Sequence, residues 1–152
     1  MDTRLRQLAD VLFKQVDAGA ISPEKIAPKL LAHVFILAIE RDSNGAVQLR
    51  VRLAGTAIDR TVGRSAHGHI LEEFIHGPRG AHVIAGFHHC AKTREPIWMR
   101  QVVQIESRPA RFVEGIAIFL EPDRICGGLV GGDLAVSTNE TDFQSSVLQR
   151  AT

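Results

Sequence analysis

Glu114 interrupts a set of apolar residues at alternate positions, Phe112, Ile116 and Ile118. A carboxylate on such a face is the kind of group whose pKa burial raises into the range of a general base. No second acid or nucleophile accompanies it, so a strand end or a pairing with an arginine across the sheet is the plainer reading. Trp98, Arg100 and Gln104 fall with Val102 on one side of an alternating segment, opposite Ile97, Met99, Val103 and Ile105. Together they would offer an indole, a guanidinium and an amide to an anionic or aromatic ligand. The competing reading is a solvent-facing stripe that continues into Glu106. His67 and His69 would share a face if extended, and Glu72 and His76 stand four apart, a chelating pitch on a helix. No HExxH motif is present and no cysteine or aspartate completes the set, so these read as polar surface residues. The pairs Gly127-Gly128 and Gly131-Gly132 are not a phosphate loop, because no Lys-Ser/Thr follows and no helix opens there. Glycines in a strand allow a bend or a bulge.

A chain of 152 residues, 45% hydrophobic and 23% charged, supports one globular core. With 18 basic and 17 acidic residues the net charge is +1, which gives no excess to neutralise nucleic acid or to hold an anionic membrane. Cys90 and Cys126 are far apart and form no CxxC pair, so they are expected to be reduced core thiols. The first residues alternate charge with apolar side chains, and no run reaches the roughly 18 apolar residues of a membrane span. The expectation is a cytoplasmic protein with no membrane partner.

The positioning elements follow from periodicity. Leu5, Leu8, Ala9, Leu12, Phe13 and Val16 carry helical spacing over Thr3 to Val16, with Asp2 or Thr3 as cap. Ser22-Pro23-Glu24 opens a second helix that Pro28 keeps short. Val34 to Ile39 is apolar without alternation, as in a strand covered on both faces. Asp42 to Gly45 makes a turn into the alternating strand Val47 to Leu53. Short helices are expected over Thr56 to Thr61 and Ile70 to Ile75, and a longer one over Arg79 to Lys92. Three strands close the pattern, Ile97 to Ile105, Arg111 to Leu120 and Ile125 to Val136, joined through Ser107-Arg108-Pro109 and Pro122-Asp123. From Ser137 onward the chain is polar, with Phe143, Val147 and Leu148 as anchors, and reads as a mobile tail or a short docking helix.

This order of elements resembles that of PAS domains, and in particular a bacterial subfamily of them. The resemblance rests on Ser22-Pro23-Glu24-Lys25-Ile26 leading to an apolar strand, and on Arg50-Val51-Arg52-Leu53-Ala54-Gly55-Thr56-Ala57-Ile58 ending the second strand. It continues through Gly63-Arg64, Gly68, Leu71-Glu72-Glu73-Phe74 and Glu95-Pro96, and covers about Ile21 to Val136. The Phe119 to Arg124 turn departs from the usual pattern. The resemblance implies an α+β fold: a five-stranded antiparallel sheet, short helices on one face and the N-terminal amphipathic helix on the other. It divides the chain into a helix over 1–20, a PAS-like body over 21–136 and a tail over 137–152.

The resemblance further implies a non-enzymatic sensory or signal-transduction module with a ligand pocket between sheet and helices, acting through a separate downstream protein. His88, Trp98, Arg100, Gln104 and Arg52 are the candidate pocket residues. In haem-bearing PAS domains a histidine of the longer helix binds the iron, and of His82, His88 and His89 the candidate is His88, nearer the apolar stripe than His89. The plainer reading, without haem, is that His88 is a hydrogen-bonded boundary residue and that His82 and His89 face water. Leu5, Leu8, Leu12, Phe13 and Val16 form a face that packs either on the chain's own sheet or on a second copy in a homodimer. The competing class is a small cone-shaped isomerase-like enzyme, with Glu114 or Asp133 as a buried base beside a donor such as Trp98 or His88.

Overall fold

The structure, a computed structural model, describes residues 1–104, 109–132 and 143–150. Expectations for Ile105, Glu106, the Ser107-Arg108 turn, Asp133 and the polar stretch from Ser137 to Thr141 lie outside the described residues.

Helix α1, Thr3–Asp17, begins where the Asp2 side chain accepts the Arg4 backbone N–H at 2.8 Å, and it ends before Gly19, whose φ is 92°. Pro23–Lys25 forms only a single 3-10 turn, and Pro28–Leu31 the one-turn α2. Strands β1, Val34–Arg41, and β2, Val47–Ala54, make an antiparallel hairpin. At its turn Asp42 Oδ1 accepts the Asn44 and Ala46 N–H groups, at 2.8 and 3.0 Å. Helix α3, Thr56–Val62, a 3-10 turn at Leu71–Glu73 and helix α4, Gly77–Thr93, fill the crossing to β3, Ile97–Val103. Strands β4, Arg111–Leu120, and β5, Arg124–Gly131, complete a meander with β3.

The sheet is antiparallel with six strands in the order β2-β1-β5-β4-β3-β6, where five were expected. The added strand, β6 at Gln144–Val147, pairs with β3 in the segment read as a tail or a docking helix. Its four residues are exposed, so neither alternation nor an apolar run announced it; its backbone hydrogen bonds to an edge strand hold it. The chain then clasps α1. Leu148 is buried on the α1 side, and the Arg150 guanidinium lies 4.3 Å from the Phe13 ring centre and 2.8 Å from the Asp17 carboxylate.

Two cores result, one on each face. Val34, Ile36, Ile116, Ile118, Leu120 and Cys126 meet Leu5, Leu8, Leu12 and Phe13 of α1. Phe35, Leu37, Val113, Ala117 and Ile125, with Leu49 and Val51 of β2, meet α3 and α4 on the other face. Consecutive residues of β1 and β4 thus enter different cores, which is why both strands read as continuously apolar. Two glycines of β5 let the layers close. A Cβ on Gly127 would strike the Ile116 carbonyl oxygen and the Phe35 ring, and one on Gly128 would strike Leu8.

Leu5, Leu8 and Leu12 are fully buried against the chain's own sheet, and Phe13 nearly so. Val16 is half-buried beside them. As packed, Leu5, Leu8, Leu12 and Phe13 are taken up by the chain's own sheet. Among the described residues no helix is long and apolar enough to cross a membrane.

Candidate functional site

Between the sheet and α3 and α4 lies a cavity of about 60 Å³, and all fifteen described residues that line it are apolar. Leu37 and Val51 form its floor, Ile58 and Val62 of α3 and Leu71 and Phe74 one wall, and Val83 and Phe87 of α4 another. Phe87 meets Phe35 edge to face, with ring centres 5.5 Å apart and planes at 85°. A void so lined offers a ligand dispersion contacts and release from water but no hydrogen bond, so it selects for apolar matter.

A polar hollow of about 510 Å³ lies beside this cavity, at the N-terminal end of α4 and the end of β3, lined by His76, Arg79, His82, Gln101 and Gln104. The adjacency follows from the chain: Ile75, Val83 and Val103 line the cavity, while His76, His82 and Gln101 line the hollow. Gln101 is 1% exposed; its Oε1 accepts the Val102 N–H at 2.9 Å, and its Nε2 has no partner among the described residues. An unpaired buried amide is costly and marks a place where a polar group from outside would gain most. His82 stacks on Phe143, ring centres 5.1 Å apart.

None of the five candidate pocket residues lines the apolar cavity. Trp98 packs on the α1 side of the sheet, and its indole N–H donates to Glu114 Oε2 at 2.8 Å. Arg100 lies over the Phe112 ring, 4.1 Å from its centre. Arg52 reaches outward and pairs with Glu40 at 2.7 Å. Gln104 lines the polar hollow. His88 lines a separate outer depression with Arg41, Lys92 and Arg94, and its Nε2 is 3.6 Å from the Glu72 carboxylate. The structure thus disperses the set: Trp98 lies on the α1 side of the sheet, Arg100 over Phe112, Arg52 against Glu40 and His88 in a separate depression.

Haem does not fit these residues. His88 does not face the cavity, and about 60 Å³ is far below the several hundred that pockets for ligands of drug size provide. Glu114 also faces α1, and Oε2 accepts from Trp98 and from the Asp2 backbone N–H, both at 2.8 Å. That placement removes it from the cavity an isomerase base would need to reach. Among the described residues no group of three or more His, Cys, Asp or Glu could hold a metal ion. His69 instead contacts Glu73, its ring Nδ1 3.0 Å from Oε2.

No family model, curated protein or solved structure matches this chain.

The residues of the Arg50 to Ile58 stretch hold the scaffold around the cavity. Arg50 and Arg52 fork onto Glu40 of the neighbouring strand at 2.9 and 2.7 Å, and Arg50 also donates to the Gly68 carbonyl at 2.7 Å. The fork keeps the Glu40 carboxyl below the usual carboxylate range, Arg50 having the larger effect. Gly55 admits the backbone of Ala32, where any side chain would strike the Ala32 carbonyl. Val51 and Ala54 of the same stretch line the cavity. Gln101 escaped the sequence reading, although a polar residue in the inward set Ile97, Met99, Val103 was a visible signal.

Proposed function

We propose that this chain is a PAS-type, non-enzymatic sensory or interaction module that takes a small apolar ligand into the cavity between its sheet and α4 and signals through a separate protein. The observation that carries the reading is a cavity whose described lining residues are all apolar. An enzyme needs a donor, acid or nucleophile against its substrate, and this lining supplies none. The order β2-β1-β5-β4-β3, with α3 and α4 crossing one face, supports the family assignment, as does the scaffold role of the Arg50 to Ile58 stretch.

Native mass spectrometry beside the denatured mass of freshly purified protein tests this. The reading expects an added mass that denaturation releases, lost in an Ala66→Leu variant whose extra carbons fill the cavity. Identical native and denatured masses, together with no saturable binding of small apolar compounds, would turn the assignment toward an adaptor working by protein contacts alone.

A further inference from the structure

At the end of the sheet where β1 and β4 begin and β2 and β5 finish lies another hollow, of about 230 Å³. Its lining gathers Arg4 of α1, His33 ahead of β1, Thr56, Arg60 and Thr61 of α3, and Arg111 of β4. No described residue lines both this hollow and the apolar cavity: α3 turns Ile58 and Val62 to the cavity, and Arg60 and Thr61 to this hollow. No carboxylate is among the described residues that line it. Beside the Arg4–Asp2 pair, the guanidinium groups of Arg60 and Arg111 meet no carboxylate among the described lining residues, and a negative partner would relieve their mutual repulsion.

The three arginines differ in what already holds them. Arg4 pairs with Asp2 at 3.0 Å and belongs to the rim. Arg60 is exposed on α3 and forms no ion pair among the described residues. Arg111 is the decisive group, because its Nε is buried and has no hydrogen-bond partner among the described residues. Water in the hollow would leave the guanidinium charge uncompensated, whereas an oxyanion pairs with it. The Thr61 hydroxyl donates to the Ala57 carbonyl at 3.0 Å, which leaves the Thr56 hydroxyl as a further donor at the hollow. Gly131 keeps the space open, since a Cβ there would stand 3.1 Å from Thr61 Oγ1.

We propose that this hollow binds a phosphate group, held by the guanidinium groups of Arg111 and Arg60 and the hydroxyl of Thr56. Donors arriving from β4 and from α3 approach from different directions, which suits a tetrahedral dianion better than a planar carboxylate. On the measure by which one water needs roughly 10–15 Å³, the hollow has room for a small organic group beside the phosphate. The ligand is therefore inorganic phosphate or a small phosphate monoester.

Calorimetric titration at low ionic strength decides it, with inorganic phosphate, glycerol phosphate and acetate as probes. The expected result is saturable binding of both phosphates, acetate binding at least about tenfold more weakly, and a Kd raised about tenfold or more by R111Q and by R60Q. Arg41→Gln removes the same charge outside the hollow and should leave the Kd within about twofold. Tighter binding of glycerol phosphate assigns a monoester, and equal binding assigns free phosphate. Arg60 is exposed, so R60Q keeps the test decisive if R111Q fails to fold. Absence of saturable phosphate binding, or equal weakening by R41Q and R60Q, overturns the proposal.

Discussion

Glu114 Oε2 accepts two hydrogen bonds at once, from the indole N–H of Trp98 at 2.8 Å and from the backbone N–H of Asp2 at 2.8 Å. One carboxylate oxygen on β4 thereby ties the neighbouring strand to the start of the helix that covers this face. The residue that most invites a catalytic reading in the sequence is a fastener. Glu114→Ala leaves two half-buried donors without an acceptor and should lower stability by about 1–3 kcal/mol. Trp98 is the single tryptophan, so its emission should change in step with the urea midpoint. An unchanged midpoint would contradict the fastener role.

The glycines of β5 predict an asymmetry. A methyl on Gly127 meets the Ile116 carbonyl, which is fixed in the β4–β5 ladder, whereas one on Gly128 meets a Leu8 side-chain methyl that can turn aside. Gly127→Ala should cost more than Gly128→Ala, the former by about 3 kcal/mol or more and the latter within the 1–3 kcal/mol of ordinary overpacking. Urea titrations of the two variants check the order.

Burial pushes both thiols up from 9.0 to about 12, Cys90 among α4 contacts and Cys126 under α1. The reactive thiolate is therefore scarce in the folded protein. At pH 8 an aromatic disulfide reagent should titrate neither thiol in buffer, and both in denaturant. Because the folded pKa values lie above the unfolded ones, stability should fall as pH rises from about 9 towards 12.

The Glu40 fork acts at the other end of the pH range. Its folded pKa is depressed, so its contribution is present above pH 4.5 and lost as the pH falls through the folded value. The groups are partly exposed, and solvent screening keeps the effect small, about 0.5–1 kcal/mol for Glu40→Gln at pH 7. Thermal melts at pH 7 and pH 3 should show the difference between wild type and E40Q shrinking towards zero at the lower pH.

Much of the fold was legible because apolar periodicity reports burial directly. Helix α1 and strand β4 stand where their spacing placed them, and the unbroken apolar runs of β1 and β4 correctly announced cover on both faces. Strand β6 was not legible, since an exposed edge strand is held by backbone groups that carry no sequence signal. The site was less legible than the fold for a related reason. Alternation correctly grouped Trp98 with Arg100, but it does not say which face of a doubly covered strand looks into a cavity. The phosphate hollow draws on α1, α3, β4 and the turn before β1, a juxtaposition that exists only after the sheet has formed.

Methyl-resolved NMR of the protein under dissolved xenon tests the central claim most directly, because xenon probes apolar space without needing a hydrogen bond. The account predicts saturable shifts confined to methyl groups around the cavity, Leu37, Val51, Val62, Val83 and Val113, and their loss in Ala66→Leu. Shifts scattered over the surface, or none at those five residues, would contradict a ligand-accepting cavity and the sensory reading built on it.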